Sequence, residues 1–217
     1  MNPRCSPTNN QRQHEHQGRT RPDHQERQHE PPARTEHPRL ALVDPAAYAS
    51  PMASLTPQSP EWTDDAPVKF SAVREVAATA DAVFVALAEH ESWPEWFDAV
   101  DRVERVGEQH DGVGSKRRIF LARERIRVLE EFIEWEPGKV WSFTVLEANG
   151  PFRLLETLNE RITIQAIGPD RTRITYLMAM KPNRGSGPLF DKVIRRGMEK
   201  NLTKALESLG RRLAALS

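Results

Sequence analysis

Residues 188–216 read PLFDKVIRRGMEKNLTKALESLGRRLAAL, with Phe190, Val193, Ile194, Met198, Leu202, Ala205, Leu206, Leu209, Leu213 and Leu216 recurring every three or four positions. That spacing lays one apolar stripe along an α-helix. Pro188 suits its first turn, where a missing N–H removes no intrahelical bond. Asp191, Lys192, Arg195, Arg196, Glu199, Lys200, Glu207, Arg211 and Arg212 form the solvated face. A lone helix with one apolar stripe is marginal in water, so this one needs a broad apolar surface to lie on. Gly197 and Asn201 interrupt the stripe where a packed core favours Leu or Ala. Either the helix approaches its partner closely there, or the missing bulk keeps space open for a ligand.

The partner surface is written in the preceding 120 or so residues. Val68–Val76 reads as a first strand. The run 78–88 has apolar positions at helical spacing, with Thr79 or Asp81 as its cap. A second short helix centres on Trp93-Pro94-Glu95-Trp96-Phe97. Strand patterns then follow at Val100–Val106, Lys116–Leu121, Arg125–Trp135, Val140–Leu146, Leu154–Ile167 and Thr172–Lys181. Turn chemistry separates them at 107–114, at Glu136-Pro137-Gly138-Lys139, near Asn149-Gly150 and at Gly168-Pro169-Asp170-Arg171. Ile174, Tyr176, Met178 and Met180 share one side of the last strand. Leu154, Leu158, Ile162 and Ile164 share one side of the strand before it, together with Glu156 and Glu160. Period-two alternation with short turns predicts an antiparallel sheet with one covered face. The order of strand, two short helices, six strands and one long helix is an α+β arrangement. A curved sheet gripping a helix leaves a gap between them, and that gap is the expected functional site.

The first 66 residues differ in kind. They hold 10 of the 17 prolines, 5 of the 7 histidines and only two aromatics, Tyr48 and Trp62. Such a segment buries too little apolar surface to offset its ordering entropy, which predicts a disordered Pro/His/Arg-rich tail over 1–66 and a folded domain over 67–217. His14, Glu15, His16, His24, His29 and His37 are irregularly spaced for metal ligation, and no metal site is expected there. The tail has no lysine whereas the rest has seven, which suggests that translation starts at Met52. Over the whole chain, 31 Lys and Arg balance 31 Asp and Glu, so no global charge argues for nucleic acid or an anionic membrane. The single cysteine, Cys5, excludes an internal disulfide and fits a reducing compartment, so the cytoplasm is the expected location. No apolar run approaches the roughly 20 residues needed to span a bilayer.

Several motifs in order carry a family resemblance. They are Arg74-Glu75-Val76 leading into an Ala/Asp-rich helix, Trp93-Pro94-Glu95-Trp96 and Gly112-Val113-Gly114-Ser115. Glu131 with Glu136-Pro137, and Asp170-Arg171-Thr172-Arg173-Ile174-Thr175, complete the set. Over residues 68–216 the chain resembles the START-like helix-grip superfamily, often called SRPBCC, and within it the polyketide cyclase/dehydrase-like branch. The resemblance implies a helix-grip fold, a curved antiparallel sheet of about seven strands wrapped around a long C-terminal helix. It transfers no catalytic set, because members include lipid carriers, hormone receptors, aromatase/cyclases, co-chaperones and oxygenase domains.

Candidate chemistry is sparse. There is no Gly-x-Ser-x-Gly elbow, phosphate loop or dinucleotide fingerprint, and no cofactor is expected. His90 either guards the pocket mouth or ends a helix in solvent, and His110 is a turn residue. The expected ligand-binding set is Trp93, Trp96, Phe97, Arg118, Trp141, Phe143, Tyr176, Met178, Phe190, Gly197 and Asn201. Its aromatics offer flat apolar surface with polar handles. Arg118, Glu131, Glu156 and Glu160 are charges on strands; any that turn inward imply a wet cavity or an ion pair. The primary expectation is a monomer or weak homodimer that sequesters an aromatic, polyketide or lipid-like molecule without membrane insertion. A cyclase/dehydratase-type enzyme using Arg118, Tyr176 or a carboxylate is the second reading. A protein-interaction module of the co-chaperone type is the third.

Overall fold

A computed structural model describes residues 51–187 and 195–216. The stripe positions Phe190, Val193 and Ile194, the proposed first-turn Pro188 and the tail up to residue 50 lie outside the described residues. In chain order the elements are β1 (Ala53–Ser54), α1 (Trp62–Asp65), β2 (Val68–Val76), α2 (Ala80–Ala88), a 3-10 turn (His90–Glu95), β3 (Val100–Val106), β4 (Lys116–Leu121), β5 (Ile126–Glu136) and β6 (Val140–Ala148). A second 3-10 turn (Gly150–Leu154), β7 (Leu155–Gly168), β8 (Arg171–Pro182) and α3 (Arg196–Leu216) complete them. Thr79 caps α2 by accepting the Ala82 N–H at 3.2 Å, as its residue type predicts.

The sheet runs β2-β8-β7-β6-β5-β4-β3, all antiparallel, and β1 pairs with β6 off that path. The α+β arrangement expected from the alternation and the helix-grip fold implied by the resemblance are what the chain adopts. Helix α3 buries Leu202, Ala205, Leu206, Leu209 and Leu213, the spacing of one face, and lies against β2. Leu216, expected in the stripe, is 73% exposed at the end of the helix. Gly197 is also exposed and does not face the sheet: an added Cβ would meet nothing within 4 Å among the described residues. No described helix is long and apolar enough to cross a membrane.

Residues 51–66 differ from the expected tail. The β6–β7 ladder ends at Thr144↔Asn159. Beyond it the N-terminal segment enters between the two strands, Leu55 N donating to Leu146 O at 2.8 Å and Thr56 N to Glu156 O at 2.7 Å. Thr157 Oγ1 donates to Thr56 O at 3.1 Å, and Asn159 Nδ2 to Ser59 O at 3.1 Å. Leu55 is thereby buried in the core cluster, and α1 packs on β7 and β8. Composition missed this because the segment's partners are strand groups about a hundred residues away.

One further strand reading changes. A register shift between Leu155 and Thr157 turns Glu156 away from Glu160. Glu156 instead accepts a hydrogen bond from Lys181 Nζ at 2.7 Å on the exposed side.

Candidate functional site: a cavity between the sheet and helix α3

Cross-strand register decides which charges turn inward. On β4 the side chains of Arg117, Ile119 and Leu121 alternate toward α3, and on β5 Val128, Glu130 and Phe132 do the same. Arg117 and Glu130 are direct partners across the two strands. Arg117 Nε donates to Glu130 Oε2 at 2.7 Å, with side-chain exposures of 0% and 6%. Arg118 and Glu131, singled out from the sequence, therefore fall on the opposite side. Glu131 pairs there with Lys116 Nζ at 3.3 Å, partly in solvent.

The Arg117 guanidinium lies among aromatic rings. Its ζ-carbon is 3.9 Å from the Trp93 ring centroid, 4.6 Å from Trp141 and 4.8 Å from Phe143. Its Nη atoms have no hydrogen-bond acceptor among the described residues, so ring faces and Glu130 carry its charge. Trp96 and Trp141 back this cluster, 4.8 Å and 5.3 Å from Trp93 between centroids. His90 joins it too: fully buried, stacked on Phe132 at 5.2 Å, with neither ring nitrogen bonded among the described residues. Burial, followed by the Arg117 and Arg105 charges, lowers its pKa to about 2. It is a neutral core imidazole and neither of the two things its sequence position suggested.

Next to this cluster a cavity of ≈ 120 Å³ opens between the sheet and α3. Its walls are apolar, including Ile119, Leu121, Val128, Phe152, Leu158 and Leu202, with Glu130, Glu160, Tyr176 and Asn201 as its polar members. Glu160 on β7 and Tyr176 on β8 are diagonal neighbours, since Glu160 pairs with Met178 and Ile162 with Tyr176. The Tyr176 hydroxyl donates to Glu160 Oε2. Burial, then the negative charge of Glu130, pushes the Glu160 carboxyl up to about 8, against the pull of Tyr176 and Arg117. Burial also raises Glu130, opposed by Arg117, and it raises Tyr176 well above the ordinary phenol value. Two interacting carboxyls near one guanidinium titrate as a unit that keeps a proton at neutral pH. Glu130 holds the salt bridge, so Glu160 is the group that retains the proton.

Six of the expected ligand-binding residues line this cavity: Trp93, Phe97, Phe143, Tyr176, Met178 and Asn201. Trp96 and Trp141 sit behind it in the core, Arg118 points to the other side of β4, and Gly197 is exposed outside its lining. Phe190 lies outside the described residues. Sequence reading missed Arg117 and Glu130, although each has apolar neighbours two residues along its strand.

The family profile described as polyketide cyclase / dehydrase and lipid transport matches residues 67–214. An uncharacterized protein of Mycobacterium tuberculosis is 32% identical over 120 residues, spanning 55% of this chain and 70% of that one. A START superfamily protein from Mycobacterium smegmatis superposes with a TM-score of 0.54 at 19% identity, covering 67% of this chain and 98% of its own. The Zhui aromatase/cyclase from a Streptomyces species gives a TM-score of 0.54 at 18% identity, covering 67% and 95% of the two chains. At such identities the two structural likenesses concern the fold.

Proposed function

The chain belongs to the polyketide cyclase/dehydrase and lipid transport family, and on that premise we propose that it binds a small hydrophobic molecule between the sheet and α3. The carrying observation is the cavity of ≈ 120 Å³, apolar over most of its wall with a carboxyl and a phenol at one side. Each CH₂ moved there from water is worth about 0.8 kcal/mol, so a compact hydrophobe binds without any chemistry being done on it. Trp93, Phe97, Phe143 and Met178 supply the apolar contacts, and Glu160, Tyr176 and Asn201 orient the ligand's polar end. Use of a single cysteine, Cys5, supports work in a reducing compartment such as the cytoplasm. Native mass spectrometry of the protein as expressed tests the reading. A co-purified small molecule, lost in Met178→Trp, is the expected result, and an empty cavity in every preparation and with every small aromatic added counts against it.

A second reading, an acid/base enzyme of the cyclase/dehydratase type, is favoured by one observation. A carboxyl held protonated near neutral pH and hydrogen-bonded by a phenol inside a cleft is suited to donate a proton to a ketone oxygen. Turnover of a poly-ketone that vanishes in Glu160→Gln and Tyr176→Phe would select it over simple binding.

A further inference from the structure

The charges around the cavity do not balance. Glu130 and Glu160 both line it, while Arg117 is the one fully buried cation among the described residues. Arg117 is committed to Glu130 and to the rings of Trp93 and Trp141. Among the described residues the other groups facing the carboxyls bring no positive charge: Tyr176 on β8 is neutral, His90 on the 3-10 turn is neutral, and α3 contributes Met198, Asn201 and Leu202. An ionised Glu160 therefore lacks a counter-ion of its own among the described residues. When the cavity is empty, a proton fills that role.

We propose that the cavity selects a small amphipathic cation, a primary aryl- or alkylamine whose ammonium replaces this proton on Glu160 while its apolar body lies among Phe97, Ile119, Phe152 and Leu158. The proposal rests on the cavity being a ligand site and adds the ligand's charge. Size limits the body to about one ring, since a cavity of roughly 150 Å³ holds benzene. Charge decides the rest. A carboxylate ligand would meet two carboxyls in a medium that screens poorly, and a neutral alcohol would leave the proton where it is. The ammonium leaves the buried site neutral, donates to the Glu160 carboxylate and faces the Tyr176 and Phe143 rings. The proton-holding tendency of Glu160, with its pKa at about 8, means that amine binding at pH 7 expels a proton.

Phenethylamine, 2-phenylethanol and 3-phenylpropionate share a size and differ in charge. Their binding to the full chain is measured by calorimetry at pH 7 in two buffers of different ionisation enthalpy. The proposal expects phenethylamine to bind at least tenfold more tightly than the alcohol, with the propionate weakest. It also expects nearly one proton to be released with the amine and none with the alcohol. Glu160→Gln should erase the tenfold preference and the proton release. If the alcohol binds as tightly as the amine, or the amine binds without proton release, cation selection is overturned and the hydrophobic site stands. If none of the three enters, the ligand-site reading falls and this inference falls with it.

Discussion

Arg117 and Glu130 face each other across β4 and β5, Nε to Oε2 at 2.7 Å, and both are almost entirely withdrawn from solvent. The pair is the hinge between the aromatic core and the cavity, because its guanidinium rests on Trp93 while its carboxyl reaches the cavity wall. A buried pair of this kind adds little net stability over an apolar replacement, yet removing one partner strands the other charge. Glu130→Ala should therefore cost about 3–5 kcal/mol in urea denaturation. Arg117→Met combined with Glu130→Leu should restore most of the loss. A double variant as unstable as Glu130→Ala would contradict this account of the pair.

Glu160 sets a pH dependence of the opposite sense to the usual acid denaturation. Its carboxyl is raised to about 8 in the folded chain, so between the unfolded value near 4.5 and about 8 the native state binds more protons than the unfolded state. Stability then falls as pH rises through that window. It is highest for this group below the unfolded value and flat above the folded one. Below about pH 6.5 the buried neutral His90 acts in the opposite sense, so the melting temperature should decline from about pH 6.5 to pH 9, and Glu160→Gln should flatten that decline. An unchanged slope in the variant would place the titration on another group.

The long helix and the antiparallel sheet were legible because period 3.6 and period 2 extend over many residues, and slips of one position average out. The cavity's charges were not, since a single position decides a face. On β4, Phe120 is apolar and buried on the side opposite Ile119, where Arg102 stacks on its ring at 3.8 Å. That second apolar face blurs the alternation that would have turned Arg117 inward. On β5 the adjacent Glu130 and Glu131 offer the same ambiguity, because Val128 and Phe132 flank Glu130 at two-residue spacing just as Leu129 and Ile133 flank Glu131. Glu160 was placed among its apolar neighbours correctly because Leu158, Ile162 and Ile164 mark its side without competition. Glu156 was not, because no sequence signal announces the register shift beside it.

The N-terminal segment makes the domain boundary testable. Leu55 is 5% exposed and belongs to the core cluster. Leu55→Ala should cost about 2–3 kcal/mol, the lower part of the range for a large-to-small core change. A chain beginning at Asp64 should lose more, because Leu146 O, Glu156 O, Thr157 and Asn159 also lose their partners. Thermal melts of the two variants against the full chain measure both effects. Equal melting temperatures for all three would show that the strand gap closes without the segment.

Asn149 holds the return from β6. It is fully buried, accepts from Arg127 N at 2.7 Å and donates from Nδ2 to Arg125 O at 3.2 Å. Asn149→Ala leaves those two backbone groups without their partner and should cost about 1–3 kcal/mol. Asn149→Asp keeps the acceptor and loses the donor, so it should fall between the two in chemical denaturation. An Asp variant less stable than the Ala variant would assign the effect to buried charge instead of to the lost bonds.

The two described glycines of α3 separate helix propensity from packing. Gly197 is exposed, and an added Cβ would find nothing within 4 Å among the described residues. The missing side chain therefore neither avoids the sheet nor holds cavity space, and its cost is the backbone freedom that glycine loses in a helix. Gly197→Ala should raise stability by about 1 kcal/mol and leave ligand uptake unchanged. Gly210 has the same propensity but a different neighbour: its Cβ would lie 3.2 Å from Val76 Cγ1 on β2, a buried side chain at the α3–sheet contact. Gly210→Ala must press α3 away from β2 by a few tenths of an ångström, and the packing lost there offsets the propensity gained. Its stability should fall below that of Gly197→Ala by about 1 kcal/mol or more. The comparison is internal to one helix, so intrinsic propensity cancels and the difference reads the α3–β2 contact alone. Equal gains at both positions would show that the helix rides loosely enough on the sheet to absorb a methyl group.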